Sequence, residues 1–207
     1  MSDLVLQGKA TDFDKPFIHG NRILNLRSGC FDASLRECDV SLFLDHKESR
    51  LGTTANRLEV YAGPESLVFR YTLPNGPSES EVKLSELADD FDSYIACSIG
   101  YEATKTETAV IDGVQVTTVI EAKLLEISLL SCAPAVSSTY SRVVSLETCG
   151  TLAEDYDRLQ LVGSYVSLHR AMKASENGGN VEYRNVTTPY ERAAANFERT
   201  LKNLEYS

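Results

Sequence analysis

The 207-residue chain holds three histidines, His19, His46 and His169, so proton transfer through an imidazole near neutral pH has few possible seats. His46 stands where an apolar alternating run meets a polar stretch, in Leu42-Phe43-Leu44-Asp45-His46-Lys47-Glu48. Spacing alone leaves it two readings, a strand-end histidine capped by water or an imidazole held at the mouth of a site, and the first is the commoner. His169 falls in a helical pattern, where a surface or packing role is expected. His19 falls in Phe17-Ile18-His19-Gly20, read as a loop with nothing catalytic beside it. Two nucleophilic side chains are neighbours in Ala96-Cys97-Ser98-Ile99-Gly100-Tyr101. In a strand they face opposite ways: Ser98 shares parity with the small Ala96 and Gly100, which leaves room for an approaching substrate, whereas Cys97 joins Ile95, Ile99 and Tyr101 on a packing face. A third segment, Leu124-Leu125-Glu126-Ile127-Ser128-Leu129, sets a carboxylate inside an apolar strand. Burying Glu126 unpaired is expensive. It either faces water on an edge strand or accepts the proton of an imidazole.

The elements that must position these groups change character once, near residue 150. Before it the chain reads as strands. Val40, Leu42, Leu44 and His46 share one parity of an alternating run that ends at His46, and Leu67 to Leu73 is a second β-prone stretch. Ser78-Glu79-Ser80-Glu81 is a capping box ahead of Leu84, Leu87, Ala88 and Phe91, which predicts a short amphipathic helix. Strand resumes over 94–101. Asp112-Gly113 between two β-branched arms predicts a hairpin whose second arm continues to Leu129. Beyond residue 150, Tyr156, Leu159, Leu161, Tyr165, Leu168 and Met172 give a helical stripe that Asn177-Gly178-Gly179-Asn180 breaks. Thr188-Pro189-Tyr190-Glu191 then predicts the start of a last helix toward Asn203. Many strands followed by helices indicate an antiparallel α+β or barrel fold, with a β-rich core over 1–150 and a helical extension over 151–207.

Composition excludes several classes. With 43% hydrophobic and 24% charged residues the chain can bury a core. A formal charge of −10 argues against a nucleic-acid partner, which needs clustered Lys and Arg. Residues 78–112 hold nine of the acidic side chains against two lysines, so much of that surplus flanks the Ser98 strand. It reads as a solvated face, or else as an acidic approach that attracts basic peptide. No apolar run nears the roughly 20 residues of a membrane span, and residues 1–8 lack a secretory pattern. The five cysteines are therefore expected to be free thiols in a reducing cytoplasm. They and the histidines lack paired short spacings, so no metal site and no cofactor are expected.

Together the segments resemble the prohead maturation proteases of HK97-type tailed phages. The likeness runs over roughly residues 8–136 and rests on elements in order. They are Gly29-Cys30-Phe31 with Ser34-Leu35; a strand into Asp45-His46, then Leu51-Gly52-Thr53; Ser98-Ile99-Gly100-Tyr101; and Leu125-Glu126-Ile127-Ser128-Leu129 closing on Pro134-Ala135. The family is similar in fold to the herpesvirus assembly proteases. The resemblance thus implies a mainly antiparallel β-barrel core with peripheral helices, at least a homodimer. Its expected work is that of a serine endopeptidase inside the phage procapsid in the host cytoplasm, cutting scaffold or major-capsid-protein segments and itself. It implies Ser98 as nucleophile, His46 as general base and Glu126 as orienting acid, with Glu121 as the fallback for the acid. Where the herpesvirus relatives carry an oxyanion-binding arginine, this chain has Ser131-Cys132-Ala133-Pro134-Ala135-Val136, which leaves the oxyanion hole unassigned. The rival readings are a non-catalytic capsid assembly or scaffold protein of the same fold, and a cysteine hydrolase using Cys97.

Overall fold

The computed structural model describes residues 4–20, 22–46, 49–73, 94–111, 113–130, 136 and 138–176. The predicted helix after Ser78, the stretch Ser131–Ala135 and the predicted helix after Thr188 lie outside the described residues. Strands dominate, as expected of a mostly β member of the α+β class. Ten are described: β1 (Leu4–Asp12), β2 (Phe17–His19), β3 (Arg22–Leu26), β4 (Ser41–Leu44), β5 (Ser49–Thr53), β6 (Leu58–Ala62), β7 (Ser66–Thr72), β8 (Ala96–Ile111), β9 (Val114–Leu130) and β10 (Tyr140–Ser145). Helix α1 spans Asp32–Glu37 and α2 spans Leu152–Glu176. No described helix is long and apolar enough to cross a membrane.

One sheet has the order β10-β1-β7-β6 and the other β2-β3-β9-β4-β5, with β8 on the opposite edge of β9. Among the described residues an antiparallel bridge, Ile95 to Ser141, links them; Ile95 N–H donates to the Ser141 carbonyl at 3.1 Å and Ser141 N–H returns the bond at 2.8 Å. Leu6, Phe69, Leu42, Cys97, Ile127 and Leu129, each at most 1% exposed, meet in the core between the sheets. No closed barrel is found among the described residues.

Strand β9 organises the second sheet. Its hairpin with β8 forms where Asp-Gly predicts it, with Ile111 paired to Val114 and Gly113 at φ +80°. Its other edge is lined by one continuous stretch of chain running parallel to it, so this sheet is mixed rather than antiparallel throughout. Strand β3 pairs with residues 116–119, and β4 pairs with 126–129. Between them the chain leaves the ladder as α1, yet still satisfies β9: the Cys30 carbonyl accepts from Ala122 N–H at 2.8 Å, and Ser34 Oγ accepts from Leu124 N–H at 2.8 Å. Gly29-Cys30-Phe31 and Ser34 thus mark the detour, with Phe31 fully buried.

Helix α2 closes the outer face of the first sheet. Thr151 and Glu154 form a capping box at its start, the Glu154 carboxylate accepting from Thr151 N–H at 2.7 Å and Thr151 Oγ1 from Glu154 N–H at 3.3 Å. The Thr151 N–H and, at 3.0 Å, its hydroxyl both donate to the Glu154 carboxylate and hold it below its ordinary pKa. The stripe expected as one face splits in two: Leu152, Tyr156, Leu159 and Val166 pack on Val68 and Tyr140, whereas Leu161, Tyr165 and Leu168 point outward at 72%, 55% and 60% exposure. His169 stacks on Tyr165, with ring centroids 5.9 Å apart. Polar side chains of β1 and β7 reach the helix. Lys9 donates to Asp12 at 2.9 Å and to Gln160 at 3.4 Å, and Gly163 leaves the space, since a Cβ there would lie 2.6 Å from Lys9 Cε. Burial lowers the Lys9 pKa, and Asp12 opposes that shift.

Arg70 is bound by Asp155 at 2.7 Å and by the Gly150 carbonyl at 2.8 Å, and its side chain is 5% exposed. Removing one partner of such a pair strands the other charge in a poor solvent. Asp155→Ala is expected to cost about 3–5 kcal/mol in a denaturant titration, and the exposed Asp157→Ala, two residues away, at most about 0.5 kcal/mol.

Candidate functional site

The site begins with an irregularity in β9. Gly100 pairs with Glu126 but Tyr101 pairs with Leu124, so Leu125 is an extra residue on β9, a β-bulge. Up to the bulge the even-numbered side chains Ala122 and Leu124 point into the core; after it the odd-numbered Ile127 and Leu129 do. Uninterrupted alternation would send Glu126 inward with Leu124. The bulge turns it to the other face, where its side chain keeps 15% exposure.

His46 reaches the same place from the far edge of the sheet. Strand β4 ends at Leu44, two residues earlier than alternation suggests. Asp45 N–H still donates to the Leu129 carbonyl at 2.8 Å, after which Asp45 and His46 take φ of +43° and +62°. Consecutive non-glycine residues in the left-handed region are uncommon and cost energy. This turn delivers the imidazole to Glu126, with Nδ1 and Oε1 2.9 Å apart. The imidazole side chain is 48% exposed. With Nδ1–H donating to the carboxylate, Nε2 is left with a lone pair for a second partner.

Ser98 stands opposite Ser128 on the β8–β9 ladder, and Gly100 stands opposite Glu126. Ser98 and Glu126 are therefore diagonal neighbours on one face, a relation that sets their Cα atoms about 7–8 Å apart. Gly100 makes room for the carboxylate: a Cβ there would lie 2.6 Å from Glu126 Cγ and 3.0 Å from Oε1. Cys97 points the other way and is 1% exposed in the core. Burial pushes its thiol up to about 12, and Cys30 likewise. A thiol that ionises so reluctantly is a poor nucleophile at neutral pH. Glu121 lies elsewhere on β9, 63% exposed and 3.6 Å from Lys105.

A cleft of ≈ 390 Å³ runs beside Ser98. It takes in the consecutive residues Cys97 to Tyr101, so it opens on the edge of β8 away from β9 rather than on one face of the strand. Ala10, Phe17 and His19 line the opposite wall. His19 is thus the end of strand β2 and a neighbour of the candidate site, where its segment reads as an isolated loop. Its sequence neighbours do not show this, because the β2–β3 hairpin brings it in. Most of the acidic surplus of 78–112 lies outside the described residues; of the rest, Glu107 faces Arg27 at 3.6 Å. Among the described residues no group of three or more His, Cys, Asp or Glu side chains could hold a metal.

Two features escaped the sequence reading. Ser128, fully buried, donates its Oγ–H to Glu126 Oε1 at 3.2 Å. The packing of Gly100 on the carboxylate is the other. The signal for the first was a hydroxyl between Ile127 and Leu129, a polar group that has to find a partner.

A family model described as caudovirus prohead serine protease matches residues 3–152, nearly three quarters of the chain. No curated protein matches the chain.

The burial of the thiols has a direct chemical readout. At pH 8, far below a pKa of about 12, iodoacetamide is expected to leave Cys97 and Cys30 unmodified in the native protein while the half-buried Cys38 reacts, as followed by peptide mass spectrometry. Rapid labelling of Cys97 in folded protein would revive it as a nucleophile.

Proposed function

The chain belongs to the caudovirus prohead serine protease family, and from that premise we propose that Ser98, His46 and Glu126 form its catalytic triad. Membership implies a phage protease that works on capsid proteins within the procapsid. The observation that carries the triad is the 2.9 Å contact between His46 Nδ1 and Glu126 Oε1, made between residues 80 positions apart in sequence. A carboxylate on Nδ1 fixes the imidazole tautomer and offsets the positive charge it acquires.

The proposed chemistry follows. Ser98 Oγ attacks the scissile carbonyl carbon as His46 Nε2 takes the hydroxyl proton. The resulting imidazolium, stabilised by Glu126, gives that proton to the leaving amine as the C–N bond breaks. Water, activated by the same imidazole, then releases the acyl group from Ser98. The cleft along β8 takes in Ser98 and offers a peptide a place beside the proposed nucleophile. Small residues beside Ser98, namely Ala96 and Gly100, favour close approach of the substrate backbone.

In this reading the substrates are scaffold and major-capsid-protein segments and the chain itself. Residues 1–150 are the protease core, and their two bridged sheets are the wall of a herpesvirus-protease-like barrel. Residues 151–207 are an extension. The outward stripe of Leu161, Tyr165 and Leu168 supports an oligomer of at least two copies. The cysteine-hydrolase rival is disfavoured by the burial of Cys97, and the non-catalytic rival by the His46–Glu126 contact.

Expression of the chain with its capsid protein tests the proposal. Ser98→Ala and His46→Ala are expected to abolish processing of both, by roughly 10³-fold or more, while leaving the melting temperature close to that of the parent. Glu126→Gln should cost far more than Glu121→Gln. Unchanged processing by Ser98→Ala would end the serine-protease assignment of this residue, and a larger loss at 121 would move the acid there.

A further inference from the structure

We infer that Ser128 is a positioning residue of the site, acting on the reaction only through the Glu126 carboxylate; the inference rests on the triad proposed above. Glu126 Oε1 is met by two donors, His46 Nδ1 at 2.9 Å and Ser128 Oγ at 3.2 Å. A carboxylate only accepts, so the hydroxyl proton of Ser128 must point at Oε1. Ser128 has no exposure to solvent, whereas the Glu126 side chain keeps 15%.

That difference gives the hydroxyl its work. The bulge at Leu125 and the half-open surroundings leave the terminal torsion of Glu126 broad, because carboxylate rotation about an sp³–sp² bond has shallow wells. Two restraints narrow it. Gly100, cross-strand from Glu126, lets the side chain lie flat against β8, and Ser128 fixes which oxygen faces the imidazole. Ser128 is in turn locked between Phe43 on β4 and Ser98 on β8, its partners in the two flanking ladders. It needs no contact with substrate to matter. Without it Oε1 turns toward water and the imidazole loses its tautomeric restraint.

The test uses the full chain and a peptide spanning a cut mapped on the capsid protein. Ser128→Ala is expected to lower kcat roughly 10-fold with KM little changed, since a small misplacement of a catalytic group is costly. Ser128→Thr, which keeps a hydroxyl, should recover most of the rate. The deciding measurement is a double-mutant cycle: in a Glu126→Gln background, Ser128→Ala should cost almost nothing further. Wild-type kinetics in Ser128→Ala, or an undiminished loss on top of Glu126→Gln, would overturn the inference. Ser98→Ala run in parallel separates the two levels. If it still cuts, the triad itself is wrong; if it is inert while Ser128→Ala behaves as wild type, only the role of Ser128 falls.

Discussion

One extra residue in β9 decides which way a carboxylate points, and the candidate site is arranged around that choice. An uninterrupted strand would have buried Glu126 on the core face beside Leu124, where an ionised group is untenable without a partner. The bulge at Leu125 places it on the opposite face while Ile127 and Leu129 still reach the core. The local break in pairing is compensated from the neighbouring detour of the chain, where Ser34 accepts the Leu124 N–H that β4 does not reach. Helix α1, a six-residue element of no great stability by itself, is thus part of the device that aims the carboxylate.

A different physics holds the first sheet. Both faces of β1 are covered, one by the apolar core and one by α2, and the second cover is partly polar: Lys9, Gln7 and Arg70 lie under the helix. Such groups stabilise only when paired, and the pairing here is specific, with Asp155 and Gln160 presented by successive turns of α2. The helix is thereby fixed in register against the sheet as well as held to it. Its opposite face, with Leu161, Tyr165 and Leu168, is left apolar and open.

Legibility in the sequence follows from this division. The β8–β9 hairpin was readable because a turn signal and β-branched arms are local. The opposition of Ser98 and Cys97 was readable because strand parity is local too. Strand β1 was not, since Gln7 and Lys9 occupy a buried face and break the pattern by which buried strands are recognised. That Glu126 faces water or pairs with an imidazole follows from the cost of burying it, but the bulge that turns it does not, because a bulge is set by pairing with another strand, which no single segment reveals. In the sequence His46 reads as a strand-end residue. It sits instead in a left-handed turn held by contacts with Leu129 and Glu126. His19 was missed as a neighbour for the same reason, and the two-sided apolar character of α2 was compressed into a single stripe.

The topology also fixes when the site can come into being. Ser98 and Glu126 belong to one hairpin and can meet early, because closing a hairpin is a local event. His46 comes from 80 residues before Glu126, on a stretch that must lie parallel to β9 and take the detour through α1 on the way. Parallel, long-range pairing is the slow part of folding. A nascent or partly folded chain therefore holds the proposed nucleophile and acid without a base between them. Under the proposed assignment, the base arrives only when β4 is laid against β9, a delay that suits a family working inside a closed shell.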